Sequence, residues 1–131
     1  MTSRNVFISY SNQDKSKVDT LIRALDNERI NYSTDQQIRA GDKWEQTIES
    51  ALHRASVFLF FISPHFLESH WAMFEIGLAL SRAKEQGVTI IPVLLHPTQL
   101  PEYIRGFQSI DASSLKPSEF AHRIKQIVQS K

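Results

Sequence analysis

The run Val57-Phe58-Leu59-Phe60-Phe61-Ile62 restricts what this chain can fold into more than any other segment. An unbroken series of large apolar residues leaves a strand no side for water, so it must be covered on both faces. That demands a sheet with helices above and below it, and the flanking sequence supplies them. Val18, Leu21, Ile22 and Leu25 fall at i, i+3, i+4 and i+7, the stripe of an amphipathic helix. Trp44, Ile48, Ala51, Leu52 and Ala55 line a second helical face, entered after Gly41 through Asp42 and Glu45 in capping-box spacing. A third helix is predicted from about Ser69 to Lys84. A fourth starts near Pro117 and packs through Phe120, Ile124, Ile127 and Val128.

Strands are predicted at residues 6–10, 30–33, 57–62, 88–95 and 107–111. Pro64 ends the third. Pro92 cannot donate to a ladder, which places a bulge there or puts the strand near a sheet edge. Strands alternating with helices predict a parallel sheet with helices on both sides. No repeat, low-complexity tract or linker interrupts the pattern, and 131 residues suit one domain with a real core.

Composition removes several function classes. A net charge of +1 offers no electrostatic case for nucleic acid or a membrane surface. Without cysteine there is no disulfide and no thiolate metal site. No apolar run is long enough to span a bilayer, and Met1-Thr2-Ser3-Arg4-Asn5 lacks the apolar core of a signal peptide; a cytoplasmic location is expected. In an open parallel sheet, ligands bind beyond the carboxyl ends of the strands, where strand order switches. The suspect loops are residues 10–14, 34–43 and 63–69. They carry no GxGxxG, no P-loop and no GxSxG elbow. A phospho-receiver needs acidic residues where this chain has Tyr10-Ser11-Asn12 and Ser63-Pro64-His65. His53, His65, His70, His96 and His122 lack metal-ligand spacing and read as surface or packing residues, although His65 and His70 fall near the predicted cleft. No metal is expected.

Glu75 is more informative. From Trp71 to Leu80 the helix reads Trp-Ala-Met-Phe-Glu-Ile-Gly-Leu-Ala-Leu, apolar all round with one charge. Such a helix is expected to be buried, so Glu75 is paired, reaches water through a gap, or faces a cleft. Trp71, four residues earlier, shares its face, as core packing or as a ligand contact. Gly77 is read as permitting close helix–sheet approach.

Three segments resemble one family. Phe7-Ile8-Ser9-Tyr10-Ser11 with Asp14 is similar to the first box of bacterial TIR (Toll/interleukin receptor) domains. Ile38-Arg39-Ala40-Gly41-Asp42-Lys43-Trp44 resembles the loop before their second helix, and Trp71-Ala72-Met73-Phe74-Glu75 resembles the WxxxE segment of the NAD⁺-cleaving members. Order and spacing agree over nearly the whole chain. The resemblance implies one TIR domain over residues 1–131, excised from or partnered with a larger protein. Its fold would be a flavodoxin-like three-layer α/β sandwich, with a five-stranded parallel sheet in the order 2-1-3-4-5.

It also implies an NAD⁺ glycohydrolase or cyclase with Glu75 as the catalytic carboxylate, NAD⁺ as substrate and no cofactor. Tyr10, Ser11, Asn12, Asp35, Arg39, Lys43 and Trp71 would contact substrate, though Arg39 and Lys43 read more readily as ordinary exposed loop charges. Ile38, Arg39, Ala40, Gly41, Asp42, Lys43 and Trp44 would form a self-association loop through which TIR domains assemble, in bacterial antiphage immune signalling. The alternatives are a non-catalytic TIR interaction module and a nucleoside deoxyribosyltransferase-like enzyme; the loop at residues 38–44 speaks against the latter.

Overall fold

The computed structural model describes residues 5–34, 54–97 and 99–129, without the side chains of Trp71 and Gln86. Strands β1 (Val6–Ser9), β2 (Tyr32–Thr34), β3 (Val57–Ile62), β4 (Thr89–Leu94) and β5 (Ile110–Asp111) form a parallel sheet in the order β2-β1-β3-β4-β5. The described helices are α1 (Lys15–Asn27), α2 (Pro64–Leu67), α3 (His70–Gln86), α4 (Glu102–Arg105) and α5 (Pro117–Gln129). The strand order and parallel sense match the flavodoxin-like expectation. Trp44, Ile48, Ala51 and Leu52 of the predicted second helix lie outside the described residues.

Every residue of β3 is buried, and the alternation of strand side chains divides them between two cores. Val57, Leu59 and Phe61 pack with Val18 and Leu25 of α1 and Phe120 and Ile124 of α5. Phe58, Phe60 and Ile62 pack with Phe66 of α2, Ala72, Ile76 and Ala79 of α3, and Ile104 of α4. Each layer meets β3 through an aromatic pair, Phe61 with Phe120 at 6.0 Å and Phe60 with Phe66 at 6.1 Å between ring centroids.

The structure departs from the sequence reading in several places, each with a local cause. Ile30 is not in β2, because it closes α1. Arg29 takes a left-handed φ of 58°, its N–H donates to the Asp26 carbonyl, and the Ile30 N–H donates to the Leu25 carbonyl, a Schellman motif with arginine where glycine is usual. Phe107 likewise belongs to the turn that ends α4, its N–H bonded to the Ile104 carbonyl, so β5 is shorter than predicted. Pro92 causes no bulge, since the β3–β4 register runs unbroken from Thr89 to Leu94. The N–H groups of Thr89 and Leu95 point at β3, donating to Ser56 and Ile62 carbonyls. By alternation the Pro92 nitrogen faces the β5 side, where pairing begins only at Val93. Proline is tolerated because no ladder bond is asked of it.

Two readings of α3 are corrected. The helix is not buried all round: Met73 and Phe74 are 46% and 38% exposed. Gly77 faces outward with open space where a Cβ would stand, so no close approach to the sheet requires it.

Arg29→Gly should raise stability by about 1 kcal/mol by relieving the left-handed backbone, read as a higher denaturant midpoint at unchanged m-value. A second outcome concerns Tyr32, whose phenol is pushed up to about 12 by burial and then by its hydrogen bond to Asp26. The folded state holds the proton more tightly than the unfolded chain. That contribution to stability is whole below pH 10.0 and is lost as pH rises through about 12. Ultraviolet titration should show the Tyr32 phenol ionising late, and Asp26→Asn should bring it down.

Candidate functional site

The chain leaves β1 into α1 on one face of the sheet and leaves β3 into α2 and α3 on the other. These neighbouring strands therefore send their loops apart, opening the carboxyl edge between them. On the β1 side, Tyr10 packs into the α1–α5 core at 6% exposure, Ser11 is half-buried and Asn12 is exposed. Ser11 caps a 3-10 turn, Asn12–Asp14, accepting the Gln13 N–H on its hydroxyl at 3.3 Å and the Asp14 N–H on its carbonyl at 2.9 Å. Asp14 leads directly into α1, yet its side chain does not cap that helix. Instead its carboxylate accepts the hydroxyl of Ser63 at the end of β3, and both residues are buried.

Ser63 also accepts the Phe66 N–H at 3.1 Å, capping α2, in which Pro64 holds the first position. Ser69 then caps α3, accepting the Ala72 N–H at 3.3 Å. Ala72, Glu75, Ile76 and Ala79 form the buried stripe of α3. Glu75 has 0% exposure, roughly 8 Å along the axis from the helix start at the carboxyl edge. The helix thus turns its carboxylate inward and two large apolar side chains outward, the reverse of what stability selects.

Of the other sequence candidates, Asp35, Ile38, Arg39, Ala40, Gly41, Asp42, Lys43 and Trp44, and the side chain of Trp71, lie outside the described residues. His65 and His70 are exposed near the carboxyl edge and His122 is exposed on α5, while His96 sits with both ring nitrogens 3.2 Å from the Lys17 ammonium. Among the described residues no three His, Asp or Glu side chains gather as a metal ion would need, and no helix is long and apolar enough to cross a membrane.

Two cavities lie at the opposite, amino edge. One, of about 490 Å³, opens between Thr89, Ile90, Ser109 and Arg123; the other, of about 300 Å³, opens between Asn5, Asn31 and Arg54. Neither touches the loops where parallel strands present their carboxyl ends, the edge toward which Asp14, Ser63 and Glu75 lie. The Asp14–Ser63 contact was missed in the sequence. Its partners are 49 residues apart, and only the adjacency of β1 and β3 brings them together.

Known proteins share this fold. A 2′ cyclic ADP-D-ribose synthase of Bacteroides thetaiotaomicron is 28% identical over 95% of this chain, which spans 43% of that relative's length. Among solved structures, the TIR domain of the Toll-related receptor TRR-2 of Hydra magnipapillata superposes with a TM-score of 0.78 at 18% identity, covering 98% of this chain and all of that one. A CMP N-glycosidase of Clostridium botulinum, BcmB, superposes with a TM-score of 0.65 at 20% identity over 94% of this chain and 99% of its own. At such identities the superpositions speak to fold alone. The TIR domain profile matches residues 6–128, and the chain belongs to the TIR domain family.

Proposed function

We infer that this domain cleaves the bond between nicotinamide and ribose in NAD⁺, with Glu75 as the catalytic carboxylate. The observation that carries this reading is the inverted α3, which buries its acid and exposes Met73 and Phe74. Burial of a carboxylate costs several kcal/mol before compensation, and buried acids concentrate at functional sites. The relative from Bacteroides, named for cyclic ADP-ribose synthesis, supports the same substrate.

Nicotinamide departs as a neutral pyridine, so its departure needs no proton donor. A typical glycosidase protonates its leaving oxygen and uses two carboxylates; here one suffices. In a water-poor site Glu75 holds the ribose hydroxyls and stabilises the positive charge that develops on the sugar. Water then captures the cation, loses a proton and gives ADP-ribose. Capture by a hydroxyl or the adenine of the same molecule gives a cyclic isomer. Activation comes from TIR–TIR association through residues 38–44, within antiphage signalling.

The non-catalytic reading has one observation in its favour. Met73, Phe74 and Tyr103 are exposed, and the Tyr103 hydroxyl donates to the Met73 sulfur at 2.9 Å, tying α3 to α4 across a surface suited to protein contact.

Clustered or concentrated protein should deplete NAD⁺ with release of nicotinamide, and mass analysis of the remainder identifies a linear or cyclic product. Glu75→Gln, which preserves shape, should lower the rate by about 100-fold or more without loss of folding. Intact NAD⁺ in solutions where the domains demonstrably oligomerise would establish the adaptor role instead. Asp42→Ala and Trp44→Ala should weaken assembly more than substrate affinity, seen as concentration-dependent sizing that shifts toward monomer; unchanged sizing removes that loop from the contact.

A further inference from the structure

We propose that Asp14 and Ser63 are positioning residues that fix the two walls of the cleft against each other, a role that rests on the NAD⁺-cleaving reading. Four features combine. Asp14 is 6% exposed and Ser63 0%, so their contact is made away from water, where a side-chain bond is stronger and its loss more costly. The pair bridges the loop after β1 and the end of β3, the strands between which the carboxyl edge opens. Asp14 makes this bond with a side chain that leaves its own helix uncapped. Finally, Ser63 starts a series of bonds that reaches the catalytic helix.

That series advances three residues at a time. The Ser63 hydroxyl accepts the Phe66 N–H at 3.1 Å, the Phe66 carbonyl accepts the Ser69 N–H at 3.1 Å, and the Ser69 hydroxyl accepts the Ala72 N–H at 3.3 Å. The next residue at this spacing is Glu75. On the other side, Ser11 accepts the N–H groups of Gln13 and Asp14, so the residue whose carboxylate meets Ser63 also closes, through its own N–H, the turn that presents Ser11 and Asn12. One hydroxyl proton, donated to one carboxylate, thereby ties the proposed substrate loop to the segment leading into the helix that carries the acid, beyond what the β1–β3 pairing alone sets. Neither residue touches the substrate; each acts through geometry, where a displacement of about 1 Å can cost about 100-fold in rate.

The test measures kcat and KM for NAD⁺ in clustered protein, well below the melting temperature, beside wild type and Glu75→Gln. Ser63→Ala and Asp14→Leu, each of which removes one partner of the bond, should each lower kcat/KM by about tenfold or more, chiefly in kcat, while the protein stays folded. Ser63→Thr keeps the hydroxyl and should recover most of the activity. The double variant should be little worse than either single one, as required of a shared interaction. Folded single variants with wild-type kcat/KM, or a double variant whose losses multiply, would overturn the proposal. If Ser63→Ala does not fold, Asp14→Leu, which keeps approximate side-chain size but removes the acceptor, decides. If wild type consumes no NAD⁺, the enzymatic reading fails separately, and amide exchange decides the clamp. Ser63→Ala must then speed exchange at both Asp14 and Ala72, and unchanged exchange at either refutes the tie.

Discussion

The fold depends on the complete burial of β3. Each of its side chains must be met by apolar partners, and the alternation of the strand sends them to opposite faces in equal number. One layer of helices therefore cannot satisfy it; α1 and α5 close one face, and α2, α3 and α4 close the other. With both faces sealed, a polar ligand can approach only at the strand ends. Parallel strands place all their carboxyl ends on one edge, and β1 and β3 divide their exits there. The position of the site follows from the core.

What the sequence revealed of this follows the same physics. Unbroken apolar runs made β1, β3 and β4 legible, and strong helical periodicity made α1 and α5 legible, because each shows its buried side without reference to neighbours. Tyr32 and Ile110, the first residues of the two edge strands, were harder to place. Edge strands have fewer partners, and their starts were set by helix ends: the Schellman closure at Arg29 and Ile30, and the turn at Phe107. The short helix from Glu102 to Arg105 has too few residues to show a period.

The candidate site was legible in a different way. Glu75 could be picked out as a lone charge among apolar neighbours, but the periodicity of α3 did not say which face pointed in. Two apolar stripes compete on that helix, and packing chose the one with smaller side chains, Ala72, Ile76 and Ala79, together with the acid. Asp14 and Ser63 were invisible as a pair because a contact between distant residues leaves no local signal. The spacing of Ser11 and Asp14 would even have suited a capping box, had the carboxylate not been drawn to β3.

The burial of Glu75 bears on how the proposed reaction is controlled. A ribose hydroxyl has to come within about 3 Å of the carboxylate to bond it, and Glu75 has no exposed surface in the single domain. Glu75 therefore meets a ribose, under the proposed reading, only when something at the carboxyl edge gives way. Under the proposed reading, only a minor open population is competent, and the apparent activity falls by that fraction. Association that favours the open form raises the rate without adding any catalytic group. Under that reading, the burial that gives the carboxylate its electrostatic strength also keeps the lone domain inactive, and NAD⁺ is spared until domains associate.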